Sequence, residues 1–102
     1  MSTVTRWFTF PFQGNGDFIL HVNVGRIADI GPIGVDRHSG VVASITELAQ
    51  PTGEDLDFPF IGGARMAVHN IAPRDDGIVD MWVQVEWGGP LSLGIQFLVS
   101  ND

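Results

Sequence analysis

Between Val79 and Val99, apolar residues fall on every second position. The set runs Val79, Met81, Val83, Val85 and Trp87, then Leu91, Leu93, Ile95, Phe97 and Val99. The intervening set is mostly polar: Asp80, Trp82, Gln84, Glu86, Ser92, Gly94, Gln96 and Leu98. Period two marks a half-buried strand, because successive side chains leave a strand on opposite faces. Gly88-Gly89-Pro90 divides the run, which predicts a β-hairpin. Opposed residues share a face, so Trp87 is set against Leu91, Val85 against Leu93, Val83 against Ile95, Met81 against Phe97 and Val79 against Val99. A two-residue Gly88-Gly89 turn would set Glu86 against Leu91, so a three-residue loop fits better. The last residue of such a loop is usually left-handed, which Pro90 cannot be. Either the glycines take the positive φ or a bulge shifts the pairing.

A second alternation opens the chain. Phe8, Phe10 and Phe12 alternate with Trp7, Thr9 and Pro11; Phe18, Leu20, Val22 and Val24 alternate with Ile19, His21 and Asn23. Gln13-Gly14-Asn15-Gly16-Asp17 between them is a dense turn signal. This predicts another hairpin, with Phe12 set against Phe18, Phe10 against Leu20 and Phe8 against Val22. Pro11 lacks an N–H, so the first strand is expected at an edge or with an edge-like bonding gap there. Arg26 to Ile30 reads as a strand or as a continuation past a bulge at Gly25, followed by turns at Gly31–Gly34 and Asp36–Gly40. Val41 to Leu48 reads as a strand with Val41, Ala43 and Ile45 inward, in preference to a short helix capped by Ser44 and Glu47. Gln50 to Ala64 is irregular, its Phe58–Ile61 end expected to fold onto the core. Arg65 to Ala72 is a further strand, ended by Pro73 and a turn through Gly77.

Two hairpins with one apolar face each bury those faces against each other. The expected fold is therefore all-β: a small antiparallel β-sandwich, jelly-roll-like, of six to eight strands, with a small closed β-barrel as the alternative. The 102 residues are read as a single domain spanning 1–102.

Composition narrows the function classes. Cysteine is absent, which removes disulfides, a thiolate nucleophile and Cys-ligated metal. Lysine is absent too, which removes Schiff-base chemistry and a phosphate-loop lysine. Five arginines against twelve acids give a net charge of −7, unfavourable for a phosphate backbone, so no nucleic-acid partner is expected. No apolar run approaches a membrane span of roughly 18 residues, and no basic-then-apolar leader pattern opens the chain. The expectation is a cytoplasmic protein without membrane insertion.

Catalytic motifs are missing. His21, His38 and His69 have no metal-ligand spacing between them, and neither a nucleophile elbow nor a phosphate loop occurs. No cofactor is expected. Asp55, Asp57, Asp75 and Asp76 are weak oxygen donors for a cation, without the spacing of a calcium loop. Trp82 carries more information, since it falls on the outer face of the last predicted hairpin among polar residues. An exposed ring takes the apolar face of a sugar, while amides and carboxylates take its hydroxyls. The candidate ligand site is Trp82 with Gln84, Glu86, Gly94 and Gln96. Gly94, opposite Gln84 in the expected register, would leave a dip beside the ring. Trp7, Thr9, His21 and Asn23 form the corresponding face of the first hairpin. Outward Trp7, Ile19, Trp82 and Leu98 point to a homo-oligomer. The reading is a non-catalytic protein acting by binding or self-assembly, with carbohydrate as the candidate ligand. The alternative is a small enzyme or metal-dependent hydrolase using His21, His69 or the acidic loops.

Overall fold

The computed structural model describes residues 2–48, 59–60 and 63–101. Six long strands and one two-residue strand are present: β1 Ser2–Gln13, β2 Gly16–Asn23, β3 Gly40–Leu48, β4 Pro59–Phe60, β5 Arg65–Pro73, β6 Ile78–Glu86 and β7 Pro90–Asn101. They form an all-β sandwich. One sheet has the order β1-β7-β3-β4 and the other β2-β6-β5, with every pairing antiparallel. β1 pairs with β7, β2 with β6 and β3 with β4, so the first half of the chain forms a ribbon with the second. That ribbon winds on itself in the jelly-roll manner when β3 docks on β7 and β5 on β6. The two sheets stay separate and do not close into a barrel.

The apolar faces are as the alternation predicts. Val79, Met81, Val83, Val85, Leu91, Leu93, Ile95, Phe97 and Val99 are all buried. Phe8, Phe10, Phe12, Phe18, Leu20, Val41, Ala43 and Ile45 pack against them, half-buried. Trp87 departs from the pattern: it lies outside the core, 39% exposed, against Gly63.

Neither predicted hairpin forms. β6 and β7 lie in different sheets, as do β1 and β2. One of the pairs read as neighbours within a sheet is set across the interior instead. Phe12 and Phe18 meet edge to face between the sheets, with ring centroids 5.1 Å apart. Sheets stack about 10 Å apart, a gap that Gly14-Asn15 or Trp87-Gly88-Gly89 can cross, since each residue reaches at most about 3.3–3.6 Å. Crossing also removes the difficulty at Pro90. Among the described residues the positive-φ glycines are Gly16, Gly25, Gly31 and Gly77, so neither Gly88 nor Gly89 is asked for that conformation.

Among the described residues, the one hairpin with a short turn joins β5 to β6. Its turn places Arg74 N on Ile78 O at 2.9 Å and Gly77 N on Arg74 O at 3.1 Å. Gly77, at φ 85°, accepts hydrogen bonds from the backbone N–H groups of Val24 and Gly25, both at 3.0 Å.

Arg26 to Ile30 is not a strand. Ile27–Ile30 forms one helical turn (α1), continued by a 3₁₀ turn at Gly31–Ile33. Arg26 bonds Asp29 three residues on, at 2.8 Å, and Gly31 at φ 74° ends the turn. This crossing closes one end of the sandwich with buried Val24 and Val35. Arg6 donates to the carbonyls of Ile33 at 2.9 Å and Val24 at 3.3 Å, and Asn101 to those of Gly34 at 2.7 Å and Pro32 at 2.9 Å. Asp36–Gly40 is the expected polar turn, with the carboxylate of Asp36 accepting from His38 N at 2.8 Å. The strand over Val41–Leu48 forms with the expected inward face, and no helix replaces it. The expected packing of Phe58–Ile61 lies almost wholly outside the described residues. No helix among the described residues is long and apolar enough to cross a membrane.

Candidate functional site

The outer face of the β2-β6-β5 sheet gathers most of the polar groups that surround an exposed aromatic ring. Along β6, Asp80, Trp82, Gln84 and Glu86 alternate with the buried valines and Met81, so they point outward. Pairing then sets their neighbours. Trp82 lies between Ile19 and Asn70, Gln84 between Asp17 and Ala67, and Asp80 between His21 and Ala72. Glu86 faces Arg65. The alanines keep the β5 side of the face low.

A bulge between Val68 and Asn70 breaks the alternation of β5. The inserted residue, His69, is exposed together with Asn70. The imidazole of His69 lies beside the indole of Trp82, with centroids 5.0 Å apart and planes tilted by 42°. Its Nε2 is 3.0 Å from Gln84 Oε1, and Gln84 Nε2 donates to Glu86 Oε1 at 3.2 Å. With the amide so arranged, the His69 nitrogen is the donor. A histidine, an amide and a carboxylate are thereby held in line beside Trp82, which is 43% exposed. Shallow depressions flank this row. One is lined by Ile19, Asn70, Ala72, Asp80 and Trp82, and the other by Arg65, Ala67, Gln84 and Glu86.

On the other side of Trp82, His21 Nδ1 meets Asp80 Oδ1 at 2.5 Å, and Arg74 Nη1 lies 3.6 Å from the same oxygen. The hydrogen bond from His21 holds the Asp80 carboxyl below the ordinary carboxylate range; partial desolvation opposes this, and the charge of Arg74 adds to it. His21 and His69 are thus engaged with different partners.

The expected site is divided between the two sheets. Trp82, Gln84 and Glu86 share a face, as read. Gly94 and Gln96 belong to β7 and lie on the outer face of the opposite sheet. Gly94 is no dip beside Trp82. It is buried beneath Trp7, and a Cβ there would stand 2.8 Å from the indole Cζ2 of Trp7 and 3.1 Å from Leu48 Cδ2. A valine at this position displaces Trp7, so the substitution does not test access to Trp82. The first-hairpin face divides in the same way, with Trp7 and Thr9 on β1 and His21 and Asn23 on β2. The error has one source, the hairpin pairing, and it exchanges Gly94 and Gln96 for Asp17, Ile19 and His21. Nothing in the local sequence announces the bulge that brings His69 and Asn70 beside Trp82.

Of the cation candidates, Asp75 accepts from Arg37 N at 3.0 Å and Asp76 pairs with Arg74. Asp55 and Asp57 lie outside the described residues. Among the described residues no three His, Asp or Glu side chains come together as a metal-binding group. Ser39, next to His38, uses its hydroxyl to brace its own turn against Asp36 and Asn101. No protein-family model, no curated protein and no solved structure matches this chain.

Proposed function

We propose that the protein is a non-catalytic binding domain whose outer β2-β6-β5 face takes a hydroxyl-rich ligand of the carbohydrate class. The observation that carries this reading is the exposed Trp82 ring set beside a row of polar groups already oriented by hydrogen bonds, His69 to Gln84 to Glu86. An indole offers a flat apolar surface to the C–H face of a pyranose, and binding then adds hydrogen bonds from groups whose orientation needs little further ordering. Asn70, Asp17 and Asp80 supply further donors and acceptors around the ring. Nothing here calls for a nucleophile or a cofactor.

The test is a glycan array followed by calorimetric titration of the best binder. Trp82→Ala abolishes binding and leaves the melting temperature within a few degrees of wild type. Gln84→Ala weakens binding about tenfold, the loss of one well-placed hydrogen bond. A Trp82→Ala protein that binds as tightly as wild type overturns the reading.

A second reading, self-association, is favoured by a different observation. Ile19, Val42 and Leu98 are 57%, 64% and 45% exposed, and Val42 and Leu98 are direct neighbours on the outer face of the β1-β7-β3 sheet. These are large apolar groups for an otherwise acidic surface.

A further inference from the structure

Among the described residues the sandwich is open along one side. β1 and β2 are edge strands of their respective sheets, and between them runs a groove of about 420 Å³. Phe8, Phe10, Phe12 and Leu20 line it, all half-buried. These side chains pack against the core on one side and border the groove on the other.

The sheet edges are not alike. Natural edges are blunted by charge, proline, bulges or a covering segment. β3 carries β4 on its far side. β5 has the bulge at His69, Arg65 at its start and Pro73 at its end. β2 carries Asp17 and the His21–Asp80 hydrogen bond. β1 is different. It is 12 residues long, and its register on β7 is unbroken from Ser2 to Gln13. Its outward residues from Thr3 to Gln13 are Thr3, Thr5, Trp7, Thr9, Pro11 and Gln13, none of them charged. Its one charge, Arg6, is engaged with the carbonyls of Val24 and Ile33. Only Pro11 interrupts it as a template for further pairing.

We propose that β1 pairs with β1 of a second copy of this chain, antiparallel about a two-fold axis, continuing the β1-β7-β3 sheet across the dimer and covering the phenylalanine groove. An edge strand meets its own copy antiparallel without needing a different complementary surface. Charge points to the same occupant. Each copy carries −7, so two copies repel over most of their surfaces, and a long uncharged edge is where they meet without opposing carboxylates. A basic partner would gain more from the acidic faces. The area is sufficient. With the strands along the longest dimension and the sheets stacked along the shortest, the edge measures 39 by 18 Å, on the order of 700 Å². Standard stable interfaces bury about 600–1,000 Å² on each partner, and this edge falls within that range. Pro11 cannot donate, so the new ladder centres on Thr3–Thr9. The Trp82 face belongs to the other sheet and stays open in this dimer, so the inference stands apart from the carbohydrate reading.

Sedimentation of wild type, Thr5→Lys/Thr9→Lys and Trp82→Ala over a concentration series tests it. The expected result is a wild-type dimer at micromolar concentration, a monomer for the lysine variant, whose solvent-facing charges leave the core intact, and a dimer for Trp82→Ala. Should the lysine variant fail to fold, hydrogen exchange on wild type decides. The β1 amides then exchange more slowly as concentration rises, and concentration-independent exchange overturns the proposal. A wild-type monomer throughout overturns it, as does a dimer that survives both lysines. So does a dimer that dissociates only in Trp82→Ala, which places the interface on the other sheet. A monomer carrying a co-purified aliphatic molecule in native mass spectrometry assigns the groove to that ligand instead. Glycan binding by Trp82→Ala bears on the carbohydrate reading alone.

Discussion

Phe97 and Phe10 point into the same interior from neighbouring strands, yet they differ in surroundings. Phe97 is completely buried and meets Phe8 edge to face at 5.7 Å; Phe10 borders the open groove. Phe97→Ala therefore costs about 3–5 kcal/mol, and Phe10→Ala clearly less in the monomer, because part of its surface faces water there. Urea titrations of both variants at a concentration where the chain is monomeric check this, and equal losses would show that the β1–β2 side is closed within one copy. Asp80 makes a pH-dependent contribution. Its carboxyl binds a proton more weakly folded than unfolded, mainly because His21 donates to it. Its stabilisation is complete above the ordinary carboxylate pKa and is lost as pH falls through the lower, folded value. Asp80→Asn removes that contribution, so the variant's melting temperature declines less steeply than wild type between about pH 5 and pH 2. The pair is solvent-accessible, which keeps the difference small. Parallel acid profiles for the two proteins would rule out the contribution.

Connections decide the arrangement of the elements. Within a sheet, an apolar residue sits beside an apolar neighbour on the same face. Across a sandwich, it sits opposite an apolar residue of the other sheet. Period two satisfies both demands equally, so the alternation in β6 and β7 fixes which way each side chain points and leaves open which strand lies beside it. Trp87 shows the limit of the pattern: it continues the apolar set, but the chain has already begun to cross between sheets there. Two glycines separate the turn that is tightly specified from the crossing that is not. Gly77 has φ 85°, and a Cβ on it would approach Arg26 N to 2.5 Å. Gly88 has no positive φ and open space where a Cβ would stand. Gly77→Ala should lower stability by more than about 1 kcal/mol, whereas Gly88→Ala is neutral or slightly stabilising. Thermal melts of the two variants distinguish the positions, and equal effects would contradict the turn geometry.

At the scale of the whole molecule, the described residues leave the sandwich with one closed side and one open side. β3, carrying β4, lies over β5 on the closed side, while β1 and β2 part around the phenylalanine groove. In the proposed dimer, pairing through β1 would place two Trp82 faces on one particle. A ligand with repeated sugars would then gain from the effective concentration of the second site without a new contact. The fold draws its stability from an apolar interior with neither disulfide nor thiolate metal site. Chelation by EDTA should therefore leave the melting temperature unchanged. A large fall would direct attention to Asp55 and Asp57.

The sequence by itself determined which residues enter the core. An alternation of apolar and polar side chains is a local property, read from each strand without knowledge of its neighbours, and burial of the apolar set follows in any packed arrangement of sheets. The edge position of β1 was legible for a similar reason, since Pro11 lacks an N–H wherever the strand is placed. Tertiary structure decided what the local pattern cannot carry: that the chain crosses between sheets at Gly14-Asn15 and at Trp87–Gly89, that Arg26–Ile30 coils into a helical turn, and that Gly94 lies beneath Trp7. It also turned His69 outward beside Trp82. Trp82, Gln84 and Glu86 came together correctly because they share one strand face. Gly94 and Gln96 were misplaced because their relation to Trp82 depends on strand pairing, and pairing is set by the global competition among apolar faces for partners.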